Sequence, residues 1–186
     1  ARGLGDVYKR QLYAGAQKNL GPAGVTLVII RNDLVERASS LGRIVPTMLR
    51  YATYARSGSL YNTPPTFSIY IAGLVLQWLR DQGGLSQVAA HNHQQATRLY
   101  NRIDTSDVFS ATVDSPDRSQ MNVTFTTGTA DTDDRFLDTC ADAGVVGLRG
   151  HRSVGGLRAS LYNALPDEAV DCLLDLIDMF EANPQR

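Results

Sequence analysis

Cysteine is scarce in this 186-residue chain: Cys140 and Cys172 lie far apart in helix-like segments, with no paired spacing for a disulfide framework or a zinc site. That scarcity fits a reduced, cytoplasmic setting. Excess charge of one sign is missing too, because 18 Lys and Arg offset 19 Asp and Glu to a net charge of -1. The chain therefore has no electrostatic footprint for a nucleic-acid partner. The longest apolar runs, such as Leu27 to Ile30, fall far short of the ~20 residues a membrane-spanning helix needs, so no membrane partner is expected. Internal repeats and low-complexity tracts are absent. What is present is a 43% apolar composition, enough to bury a core and to build one large or two small domains.

The opening residues do not read as a natural start, since Ala1 is not methionine and no apolar signal segment follows. Back-translation of Asp6 to Gln11 as GAT GTG TAT AAG AGA CAG resembles the transposon mosaic end used in sequencing-library preparation. Residues 1–11 are therefore expected to be a non-native leader, with the natural chain beginning near Leu12.

From there, Leu12 to Gly15 and Val25 to Arg31 read as short buried strands, apolar, partly β-branched and bounded by Gly and Pro. Asn32 or Asp33 is placed to cap a short helix through Ser39, and 42–62 reads as an irregular, functional loop. Phe67, Tyr70, Ile71, Leu74, Val75 and Trp78 recur at helical spacing between Pro64-Pro65 and Gly83-Gly84, which predicts an amphipathic helix over 66–80 packed by its aromatics. A second long helix, from Leu85 to about Ile103, is expected to bridge two domains. Beyond it, extended 121–125, helical 133–143, extended 145–148 and 157–162, and a last helix from Pro166 burying Val170, Leu173, Leu174, Ile177 and Phe180 predict a small α+β layer. Asp133, Asp134 and Asp138 read as a solvated helix face.

Two stretches carry chemistry. In Gly15 to Gly24 a single lysine, Lys18, sits between small residues and a Gly/Pro turn just before the second strand. A lysine that forms and re-forms an imine must be held at the edge of a rigid sheet, partly desolvated and close to the backbone, which makes Lys18 the candidate catalytic residue. In Arg149 to Asn163, His151, Arg152 and Arg158 stand among glycines that let a ligand approach the backbone, a pattern suited to a dianion held by forked hydrogen bonds. His91 and His93 tempt a metal reading, but positions two apart on a helix point away from each other; no metal is expected.

Three blocks in order, Gly15-Ala-Gln-Lys-Asn-x-Gly-Pro-Ala-Gly24, Ser59-Leu-Tyr-Asn-Thr-Pro-Pro-Thr-Phe67 and Gly150-His-Arg-x-x-Gly-Gly-x-Arg-Ala-Ser-x-Tyr-Asn163, resemble phosphoserine aminotransferases. These are fold-type I enzymes using pyridoxal 5'-phosphate (PLP), and the likeness covers nearly everything after Leu12, about the C-terminal half of such an enzyme. The resemblance implies an α/β fold: the end of a PLP-binding large domain over 12–83, then a small α+β C-terminal domain over 84–186. It implies that Lys18 binds PLP covalently and shuttles a proton, that Gln17 lies near the cofactor phosphate, and that Asn62 and Thr63 reach across a homodimer interface to the partner's PLP phosphate in a composite site. Arg158 matches the clamp on the substrate α-carboxylate, with Ser160 and Asn163 shaping its turn, while His151 and Arg152 match readers of the substrate phosphate. The implied reaction moves an amino group between glutamate and 3-phosphohydroxypyruvate, giving O-phosphoserine and 2-oxoglutarate.

Family elements that precede the lysine are not found in this sequence: the PLP-phosphate turn, the stacking aromatic, the aspartate at the pyridine nitrogen and a further substrate arginine. The chain alone is thus expected to show little transaminase activity and marginal stability at open sheet edges. Two other readings stand beside this one. Another PLP enzyme of the fold, an alanine-glyoxylate type aminotransferase or a lyase, would lack Gly150-His151-Arg152. A non-catalytic chain that only folds or dimerises would expose apolar surface.

Overall fold

The computed structural model describes residues 10–40, 42 and 44–183; the expected leader lies outside them except for its last two residues. The chain divides between Trp78 and Leu79 into two compact units.

In the first unit, β1 (Gln11–Gly15) pairs antiparallel with β2 (Thr26–Ile30), in register from Gln11 opposite Ile30 to Gly15 opposite Thr26. Both expected strands form and the Lys18 turn connects them, but they are not buried as expected: every residue of the pair is exposed except the half-buried Ala14 and Ile30, because among the described residues the two strands pair only with each other. The single helix expected after them is broken into α1 (Asn32–Val35) and α2 (Arg37–Ser40). Asp33 does not cap: its carboxylate takes a forked pair from the Arg31 guanidinium at 2.9 and 2.7 Å, and Arg31 itself stands at the N-cap. The loop expected over 42–62 contains a 3-10 turn (Thr47–Leu49) and a helix, α3 (Tyr51–Arg56), because no Gly or Pro interrupts the chain between Pro46 and Gly58.

The predicted amphipathic helix is α4 (Thr66–Asp81), yet it buries no residue. Phe67 is 73% exposed and Tyr70 62%, so these two aromatics expected to be core are surface, while Trp78 is half-buried. A two-stranded sheet offers too little area to cover both its own faces and a four-turn helix.

The second unit holds α5 (Gly84–Asp104) entirely, so this helix does not bridge domains. Strands β3 (Ser110–Ala111), β4 (Asn122–Thr126) and β5 (Leu157–Ser160) form an antiparallel sheet in that order, accompanied by α6 (Ala130–Asp142) and α7 (Asp167–Ala182). Val123, Phe125, Leu157 and Ala159 alternate into the core. There Phe136 meets Phe109, Phe125 and Phe180 edge-on, at 4.8, 6.4 and 5.2 Å between ring centres, contacts worth about 0.5–1.5 kcal/mol each beyond area burial. On α7 the buried stripe is Val170, Leu173, Leu176, Ile177 and Phe180; Leu174 is half-buried beside it. The expected strand over 145–148 is irregular, since Gly144 and Gly147 take φ of 81° and 83°, outside the extended region.

Asp133 departs most from expectation: it is buried, not solvated. Its carboxylate accepts from the Thr127 amide at 2.7 Å and from the Thr126 and Thr127 hydroxyls at 3.1 and 2.8 Å, tying the end of β4 to the first turn of α6. Burial pushes the Cys140 thiol up to about 12, with Cys172 adding to the effect, so Cys140 packs as a small apolar group.

Along α5 and α7, Arg98 pairs with Asp171, and Arg102 with Asp178 and Glu181. Glu181 also accepts from the Ser106 hydroxyl at 2.8 Å and the Asp107 amide at 2.7 Å. Arg102, seconded by these donors, lowers Glu181 from 4.5 to about 2. A depressed carboxylate stabilises the fold fully above its ordinary value and progressively less as pH falls towards the folded value. Urea midpoints followed by circular dichroism should therefore fall between pH 5 and about 2, and Glu181→Gln should flatten that fall; an unchanged slope would refute the role of Glu181.

Candidate functional site

The turn between β1 and β2 is short and constrained. Ala16 is buried and donates its amide to the Val25 carbonyl at 2.8 Å, which closes the hairpin just ahead of Gln17 and Lys18. Both of these pair with Gly21 in isolated bridges, and the Gly21 amide donates to the Lys18 carbonyl at 3.3 Å. Lys18 has φ of 92°, outside the region a side-chain-bearing residue prefers. Such strain persists only where the surroundings enforce it. Here they do: a Cβ on Gly21 would lie 3.2 Å from the Ala72 Cα of α4, and the Ser68 hydroxyl donates to the Ala23 carbonyl at 2.9 Å. The lysine turn is therefore seated on α4 through bare backbone. The Lys18 and Gln17 side chains are exposed; the partial desolvation expected for Lys18 is not found, because among the described residues β1 pairs with β2 alone.

Asn62 and Thr63 line a cavity of about 730 Å³ in the same unit, together with Thr26, Val28, Tyr54 and Ser59. Both residues are exposed, and the Asn62 amide donates to Met48 Sδ at 3.5 Å. Lys18 and Gln17 are not among the lining residues. Sequence reading missed Tyr54 as part of this wall, since α3 is not expected from the sequence; its signal was the helix-compatible run between Pro46 and Gly58.

In the second unit the glycine-rich turn is a closed loop. The Gly150 amide donates to the Gly156 carbonyl at 2.8 Å, and the Arg158 amide to the Leu148 carbonyl at 2.6 Å. At its base a Cβ on Gly150 would fall 2.0 Å from the Gly155 carbonyl oxygen, so no side chain fits. His151 and Arg152 stand at its exposed end. The Val154 and Gly155 amides both donate to the His151 carbonyl, at 2.9 and 2.8 Å. Arg149, in the same motif, is taken up by Asp134 at 2.7 Å.

Arg158 lies on β5 opposite Thr124 of β4. Its neighbours Leu157 and Ala159 point into the core, so strand alternation turns Arg158 and Ser160 to the other face. That face is polar, with Thr124 and Thr126 half-buried beside them and the Thr112 hydroxyl donating to Thr124 at 2.7 Å. Arg158 Nε is buried and has no hydrogen-bond partner among the described residues. A buried donor left unpaired is costly unless something accepts from it, which suits a ligand oxygen. Downstream, the Asn92 amide donates to Asn163 Oδ1 at 2.8 Å and the Gln95 amide to the Leu165 carbonyl at 3.0 Å, fixing the exit of β5. The helix that carries Asn92 sends its two histidines apart: His91 lies 3.8 Å from Asp167, whereas His93 pairs with Gln120 at 3.1 Å. Among the described residues no group of three or more acidic, His or Cys side chains is gathered for a metal.

The profile of the family described as Aminotransferase class-V matches residues 8–173. A phosphoserine aminotransferase of Bacillus cereus is 51% identical over 170 residues, covering 91% of this chain and 46% of that protein. Among solved structures, a phosphoserine aminotransferase from Bacillus circulans subsp. alkalophilus superposes with a TM-score of 0.86 at 46% identity, covering 93% of this chain and 47% of that one. A PLP-bound phosphoserine aminotransferase from Trichomonas vaginalis does so at 0.81 and 37%, covering 91% and 48%. The chain thus spans about half the length of the curated relatives it matches. On a family match that runs through most of its residues, it belongs to the class-V aminotransferases and is built on their fold-type I architecture.

Proposed function

We propose that the whole protein is a PLP-dependent phosphoserine transaminase of serine biosynthesis, moving an amino group reversibly between glutamate and 3-phosphohydroxypyruvate to give O-phosphoserine and 2-oxoglutarate. The observation that carries this reading is that relatives of that name share 51% of residues across nine-tenths of this chain. In this reading the protein is a cytoplasmic homodimer, 12–83 is the remainder of its cofactor-binding large domain, and 84–186 is its small C-terminal domain. The related substrate pair of pyridoxine biosynthesis is a further candidate.

The residues present suit the cofactor. Lys18 offers an exposed primary amine, the group that condenses with an aldehyde, on a turn that α4 holds in place; Gln17 offers an amide donor suited to the cofactor phosphate, and Asn62 and Thr63 offer amide and hydroxyl donors to the phosphate of the PLP held by the partner subunit. PLP, when bound, supplies the electron sink that makes the substrate Cα–H acidic. Lys18 Nζ then takes up and returns that proton. Arg158 grips the substrate α-carboxylate, where its unpaired buried Nε supports an oxygen ligand. His151 and Arg152, held at the exposed end of a loop too tight at its base to admit a side chain, receive the substrate phosphate.

A second reading applies to the 186 residues by themselves. Ile29, Phe67 and Tyr70 are 69%, 73% and 62% exposed, apolar surface of the kind that marks a contact face, and this favours a chain that folds or associates without turnover. Tight PLP binding with turnover by these residues alone would overturn it.

In the full-length protein, Lys18→Ala is expected to lower kcat with glutamate and 3-phosphohydroxypyruvate by at least about 10²–10⁴-fold; turnover that survives would overturn the assignment of Lys18. Gly150→Ala, which must open the loop, is expected to raise KM for the phosphorylated acceptor roughly tenfold, about 1.4 kcal/mol, with kcat little changed. Steady-state kinetics with varied acceptor separates the two effects.

A further inference from the structure

His151 is tied back on its own loop by one side chain two residues away. Its Nδ1 lies 2.7 Å from the Ser153 hydroxyl and 3.3 Å from the Ser153 backbone nitrogen. An amide N–H only donates, so Nδ1 is the acceptor of this contact and carries no proton in the neutral ring. The remaining proton then sits on Nε2, at the opposite edge of the imidazole, as the hydrogen bond at one ring nitrogen decides the state of the other. The loop backbone supports the same arrangement, because the Val154 and Gly155 amides both converge on the His151 carbonyl. The backbone and Nδ1 of His151 thus face into the loop, while the residue as a whole is exposed.

We propose that Ser153 is a positioning residue for recognition of the substrate phosphate: it holds His151 as the Nε2–H tautomer and directs that N–H out of the loop as a ready donor. The proposal rests on the reading of His151 given under Proposed function. Without the Ser153 hydroxyl the imidazole keeps only the longer amide contact, and it rotates and exchanges tautomers more freely. A phosphate oxygen then meets a donor part of the time, which weakens binding and leaves the chemical step untouched.

The test uses the full-length protein loaded with PLP. Ser153→Ala is expected to raise KM for 3-phosphohydroxypyruvate about five- to tenfold, the worth of one net hydrogen bond, at unchanged kcat. Ser153→Thr, which keeps the hydroxyl, should restore it. Nitrogen-15 spectra of the ring should show Nδ1 unprotonated in the parent protein and a tautomer mixture in Ser153→Ala, a change that a loss of stability alone does not produce. If His151→Gln raises KM while Ser153→Ala leaves both KM and the ring spectrum unchanged, the role of Ser153 is refuted. An unchanged KM in His151→Gln overturns the reading beneath the proposal, and the proposal with it.

Discussion

Both chemically loaded turns depend on one constraint, the approach of bare backbone to a distance at which a side chain would be crowded, at Gly21, or excluded, at Gly150. Gly21 lies against the Ala72 backbone of α4, where an added Cβ would stand 3.2 Å from a Cα. Gly150 lies against the Gly155 carbonyl, where a Cβ would stand 2.0 Å from the oxygen. Interiors pack densely and helices yield little, so these contacts act as fixed seats. One holds Lys18 in a conformation it would not adopt alone; the other closes the loop that presents His151 and Arg152.

The two units gain their order by different means. The second has a continuous core in which Phe109, Phe125, Phe136 and Phe180 interlock beneath β4 and β5. Ion pairs from Arg98 and Arg102 join α5 to α7 at the rim. That core makes β5 a rigid strand, and Arg158 inherits its rigidity. The first unit has a hairpin, short helices and one long helix that buries no residue fully: Phe67, Tyr70 and Leu74 are exposed, and Ile71, Val75 and Trp78 are half-buried. A strained lysine persists there because the hairpin turn is seated on α4 by contacts between residues distant in sequence, Gly21 against Ala72 and Ser68 to Ala23.

Much of the second unit was legible in sequence, since its helices and strands each follow a single period and its buried stripe on α7 follows helical spacing nearly throughout. The departures have physical causes. Asp133 looks like a solvated acid until the fold brings the Thr126 and Thr127 donors to it. The segment over 145–148 is apolar enough for a strand, but glycines at 144 and 147 turn it aside. α3 was hidden because the polar run around it reads as loop. On α4 the helical spacing holds, but Phe67 and Tyr70 are exposed and Trp78 only half-buried, as periodicity shows which side is apolar without showing what covers it.

The sequence by itself determined the two strands and the turn around Lys18, the long helices, the small α+β layer and the three residue blocks that mark the family, because local propensity, turn chemistry and motif order are properties of neighbours along the chain. Only the tertiary structure decided that Lys18 stands exposed in a left-handed conformation, that Arg158 keeps a buried donor unpaired, that Asn62 and Thr63 line a cavity and that Ser153 engages the ring of His151. Each of these depends on distances between groups that sequence spacing does not specify, and on how much surface neighbouring elements cover.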